Sequence, residues 1–164
     1  FSSDDSFTTN FMTLLNQLPF FPLYYSGKTK FTPIHCSDLT DVIHDVILKN
    51  INSKIIECVG PEVLTLKQIL EKLLILIEKK RLLLPLPLPF AIFSAKIFQI
   101  FPKPLITEDQ LKLLKYDNVV SGKYKTNSDI GTPSKRFFND EVNKYCYMWK
   151  EGGQYSTKKY KIDK

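Results

Sequence analysis

Residues 31–77 alternate between short apolar runs and helical patterns, and this alternation constrains the fold more than any other feature of the chain. Residues 31–36 (Phe-Thr-Pro-Ile-His-Cys) form a short apolar-rich run, and a capped amphipathic segment follows over 37–49. A second run, 54–59 (Lys-Ile-Ile-Glu-Cys-Val), leads into a second helical segment that opens at Thr65. Strands alternating with helical patterns of this length predict an α/β architecture of parallel β/α units with helices packed on the sheet.

The flanking segments carry their own signals. Phe7, Phe11, Leu14, Leu15 and Leu18 recur on one helical face, and Pro19 and Pro22 end that helix. Residues 23–30 then make a turn into the first strand. In the helix of 37–49, Leu39, Val42, Ile43, Val46 and Ile47 share a face, Ser37 or Asp38 is the N-cap, and Asp38 and Asp41 suit the positive end of the helix dipole. Gly60-Pro61 breaks the chain. Thr65 and Gln68 form a capping-box pattern that opens a helix running to about Lys80.

Leucine and proline alternate over 82–89, so only 82–84 can pair, and then at a sheet edge. Thr107 and Gln110 repeat the capping-box pattern ahead of Leu111, Leu113 and Leu114. Thr132-Pro133 is expected to open a last helix through Phe137, Phe138, Val142, Cys146 and Trp149, stopped by Gly152-Gly153.

Residues 82–101 are about as long as a bilayer span. Prolines interrupt the first half, and Lys96 and Gln99 the second, which excludes a spanning helix. Residues 90–101 alone read as a short helix apolar on most sides. It either packs against the core or offers Phe90, Phe93, Ile97 and Phe101 to a partner or a membrane surface.

The net charge of +6 raises the question of nucleic acid. From Lys150 onward five lysines face only Glu151 and Asp163, so half of the excess sits at the end of the chain. Such a segment reads as a solvated tail, and no nucleic-acid partner is expected. With 43% hydrophobic residues, 164 residues suffice for one folded domain over 1–150, with 151–164 as a basic, flexible tail. Cys36, Cys58 and Cys146 are odd in number and far apart, which fits free thiols in a reducing compartment and neither a zinc site nor a disulfide framework. Cys36 and Cys58 read as small buried hydrophobes within strands.

Few residues suggest chemistry. Tyr-x-x-x-Lys occurs as Tyr24 with Lys28, Tyr155 with Lys159 and Tyr160 with Lys164. A catalytic pair needs both groups on one helical face, where the ammonium lowers the phenol pKa. The first pair flanks Ser26-Gly27 in a turn and the others lie in the tail, so all three read as chance matches. His35 reads as a histidine at a strand end and His44 as solvated. Asp4-Asp5 and Glu108-Asp109 are explained by helix N-terminal charge. No catalytic residue and no metal ligand is assigned.

Residues 31–42 (Phe-Thr-Pro-Ile-His-Cys-Ser-Asp-Leu-Thr-Asp-Val) and 60–66 (Gly-Pro-Glu-Val-Leu-Thr-Leu) resemble the C-terminal half of extended and atypical short-chain dehydrogenases. Residues 104–120, Ile130-Gly-Thr-Pro133 and residues 147–154 narrow the likeness. They resemble the short-chain-dehydrogenase-like accessory subunit of respiratory complex I and its bacterial relatives.

That resemblance implies a Rossmann-type fold with few parallel strands and five or six helices, and NADP or NAD bound without turnover. It also implies complex I subunits as partners, in a bacterial cytoplasm or mitochondrial matrix at the respiratory membrane. The glycine-rich half would lie upstream of Phe1, so no cofactor-binding residue is assigned and this segment alone is expected to bind none. His35 and Cys36 stand where the family would have aromatic or aliphatic residues. Two other readings are open: the substrate side of an active NAD(P)-dependent nucleotide-sugar epimerase, dehydratase or reductase, and a helical module that binds membranes or partners.

Overall fold

The computed structural model describes residues 1–52, 54–86 and 108–155. The expected helix over 90–101, the Thr107 cap, Lys159, Tyr160 and Lys164 lie outside them. Five helices, α1 (Thr8–Gln17), α2 (Cys36–Leu48), α3 (Leu66–Leu76), α4 (Glu108–Leu113) and α5 (Phe138–Asn143), combine with short strands in a mixed α/β arrangement of the described residues.

The strands pair two by two. β1 (Phe20–Tyr24) runs parallel to β5 (Leu82–Leu86), β2 (Lys30–Phe31) antiparallel to β4 (Leu64–Thr65), and β3 (Ile56–Glu57) parallel to β6 (Lys125–Thr126). The runs at 31–36 and 54–59 are therefore not ladder neighbours, contrary to the expected parallel unit. Just past the second run, Gly60 N–H donates to the Thr32 carbonyl at 3.3 Å. The first strand stops at Phe31 because the Thr32 N–H donates to Asn118 rather than to a neighbouring strand of that unit.

β1 was not legible in the sequence, since Pro22 reads as a helix terminator. Both strands of the first pair contain proline, Pro22 opposite Leu84 and Pro85 opposite Leu23. The pair has no third strand among the described residues, so each proline lacks only an outward-facing N–H. Pairing consequently extends beyond Leu84, to Leu86.

α3 is the centre of the core. Its Leu66, Ile69, Leu70 and Leu73 are fully buried, together with Met12 and Leu15 of α1, Leu23 of β1, and Phe138 and Val142 of α5. The capping box forms as the sequence predicts: Gln68 N–H donates to Thr65 Oγ1 at 3.2 Å, and Thr65 N–H to Gln68 Oε1 at 2.8 Å. The helix ends at Leu76, short of Lys80, because Glu78 turns into the left-handed region at φ +57°. Arg81 closes the end of α1, donating to the Leu15 and Asn16 carbonyls at 3.0 and 3.1 Å.

α2 breaks the expected pattern. Of its apolar stripe only Val42 is buried; Ile43 is 53% exposed and Ile47 68%. The helix docks by its acidic edge instead. The expected helix from Thr132 is also shorter: residues up to Phe137 are non-helical, α5 starts at Phe138, and a 3-10 turn covers Cys146–Trp149. Glu62 Oε1 accepts the Phe138 N–H at 2.9 Å and sets that start. Cys36, read as strand and buried, is exposed and opens α2. Among the described residues no helix is long and apolar enough to cross a membrane.

At Gly60 a Cβ would sit 1.9 Å from the Pro33 carbonyl oxygen, so backbone meets backbone with no side chain able to yield. Gly60→Ala is expected to lower stability by about 2–4 kcal/mol, read from the urea midpoint. Gly122 has a positive φ of +73° and open space around it. The control Gly122→Ala is expected to cost only about 1 kcal/mol.

Candidate functional site

A cleft of about 1020 Å³ opens along the described residues. Its floor is built from chain that has just left two strands: Thr32, Pro33 and Ile34 beyond β2, and Cys58 and Val59 beyond β3. One wall comes from the first residues, Phe1 to Phe7, and the other from 113–119, the last residue of α4 and the chain after it. The cleft thus opens at the carboxyl ends of β2 and β3.

Hydrogen bonds fix each wall. Asp5 accepts from the backbone N–H of Thr8 at 2.7 Å and of Ser2 at 2.9 Å, so it caps α1 and ties down the entry loop. Asp117 accepts the Lys30 N–H at 2.8 Å, and Glu57 the Ser121 N–H at 2.9 Å. Thr29, buried, donates its hydroxyl to the Leu114 carbonyl. Phe1 completes the rim, donating to the Ile34 carbonyl at 2.7 Å and accepting from Cys36 N–H at 3.0 Å. Burial pushes the Cys58 thiol above its ordinary pKa, so it stays protonated and adds no charge or nucleophile to the cleft.

The floor rests on a buried polar cluster that the sequence does not advertise. Asn127 is 1% exposed. Its Oδ1 accepts the Val59 N–H at 3.0 Å, and its Nδ2 donates to Ser134 Oγ at 3.0 Å and to the Thr132 carbonyl at 3.2 Å. Ser134 Oγ in turn donates to the Val59 carbonyl at 2.7 Å.

Beside that cluster, the acidic edge of α2 holds residues 130–136. Asp38 is 4% exposed; its carboxylate accepts the N–H groups of Lys135 and Arg136 at 3.2 and 3.0 Å and pairs with the Arg136 guanidinium. Arg136 also reaches Asp41 at 3.1 Å. Asp45 accepts from Lys49 at 2.8 Å and from Thr132 Oγ1 at 2.6 Å, bonds that hold its carboxyl below the ordinary range. A second, smaller depression of about 310 Å³ lies along this edge, lined by Asp41, His44 and Lys135 among others. Its acids are already occupied by the 130–136 segment.

The residues singled out in the sequence do not converge. Tyr24 is buried in β1 and Lys28 is exposed after the turn, so that pair shares no helical face. Tyr155 is 82% exposed. His35 is not at a strand end; it is the N-cap of α2, its Nδ1 accepting the Ser37 N–H at 3.2 Å. His44 lies nine residues on and is mostly exposed, so the two histidines form no pair. Among the described residues no group of three or more His, Cys, Asp or Glu could hold a metal ion.

Two predictions arise from these contacts. Removing the charge at Asp38 takes the carboxylate away from two part-buried N–H groups and a half-exposed guanidinium. Asp38→Asn is expected to cost about 1–3 kcal/mol in denaturant unfolding, whereas Asp41→Asn, at an exposed pair, is expected to cost under about 1 kcal/mol.

His35 gives a pH dependence. Burial holds its pKa below 6.5, against the opposing pull of Glu141 at 3.9 Å, and the cap needs an unprotonated Nδ1. The unfolded chain therefore takes up the proton first. Stability is full above the unfolded value near 6.5 and falls as pH drops through it. The urea midpoint is expected to fall between pH values of about 7.5 and 5.5, and His35→Asn, which retains a capping oxygen, to flatten that slope.

No protein-family model matches the chain, and no curated protein matches it.

Proposed function

We propose that the chain is the C-terminal part of a Rossmann-type, NAD(P)H-binding and non-catalytic accessory or assembly protein of NADH:ubiquinone oxidoreductase, related to extended and atypical short-chain dehydrogenases. The observation that carries this reading is the position of the cleft. In open α/β folds, ligands bind in the crevice beyond the carboxyl ends of the strands. The cleft lies beyond the ends of β2 and β3.

The parallel pairs β1–β5 and β3–β6 are in keeping with crossover connections.

A non-catalytic role comes with the family resemblance and is part of the same proposal. Peripheral membrane contact through Phe90, Phe93, Ile97 and Phe101, and contact with complex I subunits, belong to the same proposal.

On this reading the phosphates are gripped by the glycine-rich half. The 164 residues alone are expected to bind no dinucleotide in calorimetric titration with NADPH. The same residues joined to their upstream coding sequence are expected to retain NADPH stoichiometrically through gel filtration and to oxidise none of it on standing. Micromolar binding by the isolated chain, or none by the longer one, overturns the proposal.

A further inference from the structure

Beside the cleft opens a pocket of about 230 Å³ with aromatic walls, Phe7, Phe11, Phe21 and Phe31 among them. The rings stack edge-on or tilted: Phe7 and Phe11 centroids are 4.9 Å apart, Phe11 and Phe21 5.8 Å, Phe7 and Phe31 5.9 Å. Phe7 and Phe31 line both the pocket and the cleft, so the two form one continuous concavity. A cavity that accepts benzene measures about 150 Å³, so the pocket has room for one or two rings.

The charge around it is mainly negative. Asp5, Glu57 and Asp117 line the cleft against a single ammonium, that of Phe1, which is tied to the Ile34 carbonyl, and no lysine, arginine or histidine side chain stands among the described residues lining the cleft or the pocket. All three carboxylates are held by the backbone N–H bonds described above, so they cannot swing away from an incoming anion. Each disfavours a negative charge about 4 Å away by roughly fivefold even at the dielectric of bulk water.

We propose that the pocket and cleft together form a binding site for an uncharged, ring-bearing small molecule and turn away anionic ones, nucleoside-diphosphate sugars included. The inference does not lean on the family reading: failure of the longer protein to hold NADPH would leave this ligand preference in place, and the reverse.

Two dyes with one ring skeleton test it on the chain as it stands. N-phenyl-1-naphthylamine is neutral, and 1-anilinonaphthalene-8-sulfonate adds a single sulfonate. The neutral dye is expected to bind at least about tenfold more tightly by fluorescence titration at low salt. The gap should narrow in 1 M salt, where the screening length falls to about 3 Å. The chain's net charge of +6 favours the sulfonate everywhere else, so the opposite preference reports the cleft.

Phe7 is 37% exposed, and Phe7→Ala is expected to weaken the neutral dye by about fivefold or more without unfolding the chain. The double variant Glu57→Gln with Asp117→Asn keeps both acceptors. It is expected to tighten the sulfonate by about twenty-fold and leave the neutral dye unchanged. Equal binding of the two dyes, indifference to Phe7→Ala in a folded chain, or no gain for the sulfonate in the double variant would each overturn the proposal.

Discussion

Asp38 places a carboxylate at 4% exposure, where an unpaired charge would be untenable, and the surrounding structure is organised to meet it. Two consecutive backbone N–H groups and one guanidinium converge on its two oxygens. That convergence holds residues 134–137 extended along α2. It delivers Ser134 to the Val59 carbonyl and sets Phe138 at the start of α5, where its ring is fully buried. The floor of the cleft is one bond further on, because Asn127 and Ser134 together clamp Val59.

This arrangement explains which elements were legible in the sequence. α3 was, because its cap, its apolar spacing and its burial all agree. The α2 boundaries were nearly right, but its orientation was not. Leu39, Ile43 and Ile47 read as a core face, yet the buried contacts run through Asp38 and Val42. Hydrophobic periodicity ranks faces by the apolar residues they carry, and it is blind to a carboxylate whose partner lies 98 residues away. The same contact suppresses the helix expected from Thr132. In β1 the misleading signal was Pro22, which forbids a central strand but not an outward-facing position in a two-stranded pair.

The cleft was less legible still. Its lining comes from four stretches of chain, and none carries a recognisable local motif. Asp5 looks like a helix-terminal charge, which it is; its second identity, as part of a wall with Glu57 and Asp117, exists only in three dimensions. Phe7 and Phe11 read as helix core along with Leu15, whereas the buried centre of α1 pairs Leu15 with Met12, which lies off that face. That offset frees the two rings to line the pocket.

The first helix is completed by the last part of the fold. Thr8 Oγ1 bonds to the Tyr145 hydroxyl at 2.9 Å across 137 positions, and Trp149 Nε1 donates to Thr13 Oγ1 at 2.9 Å across 136. Thr8 is fully buried, so its hydroxyl has no water to fall back on. During synthesis α1 must wait, its polar atoms still hydrated, until residues 145–149 have left the ribosome. Contacts of such long separation slow folding and make its final step all-or-none.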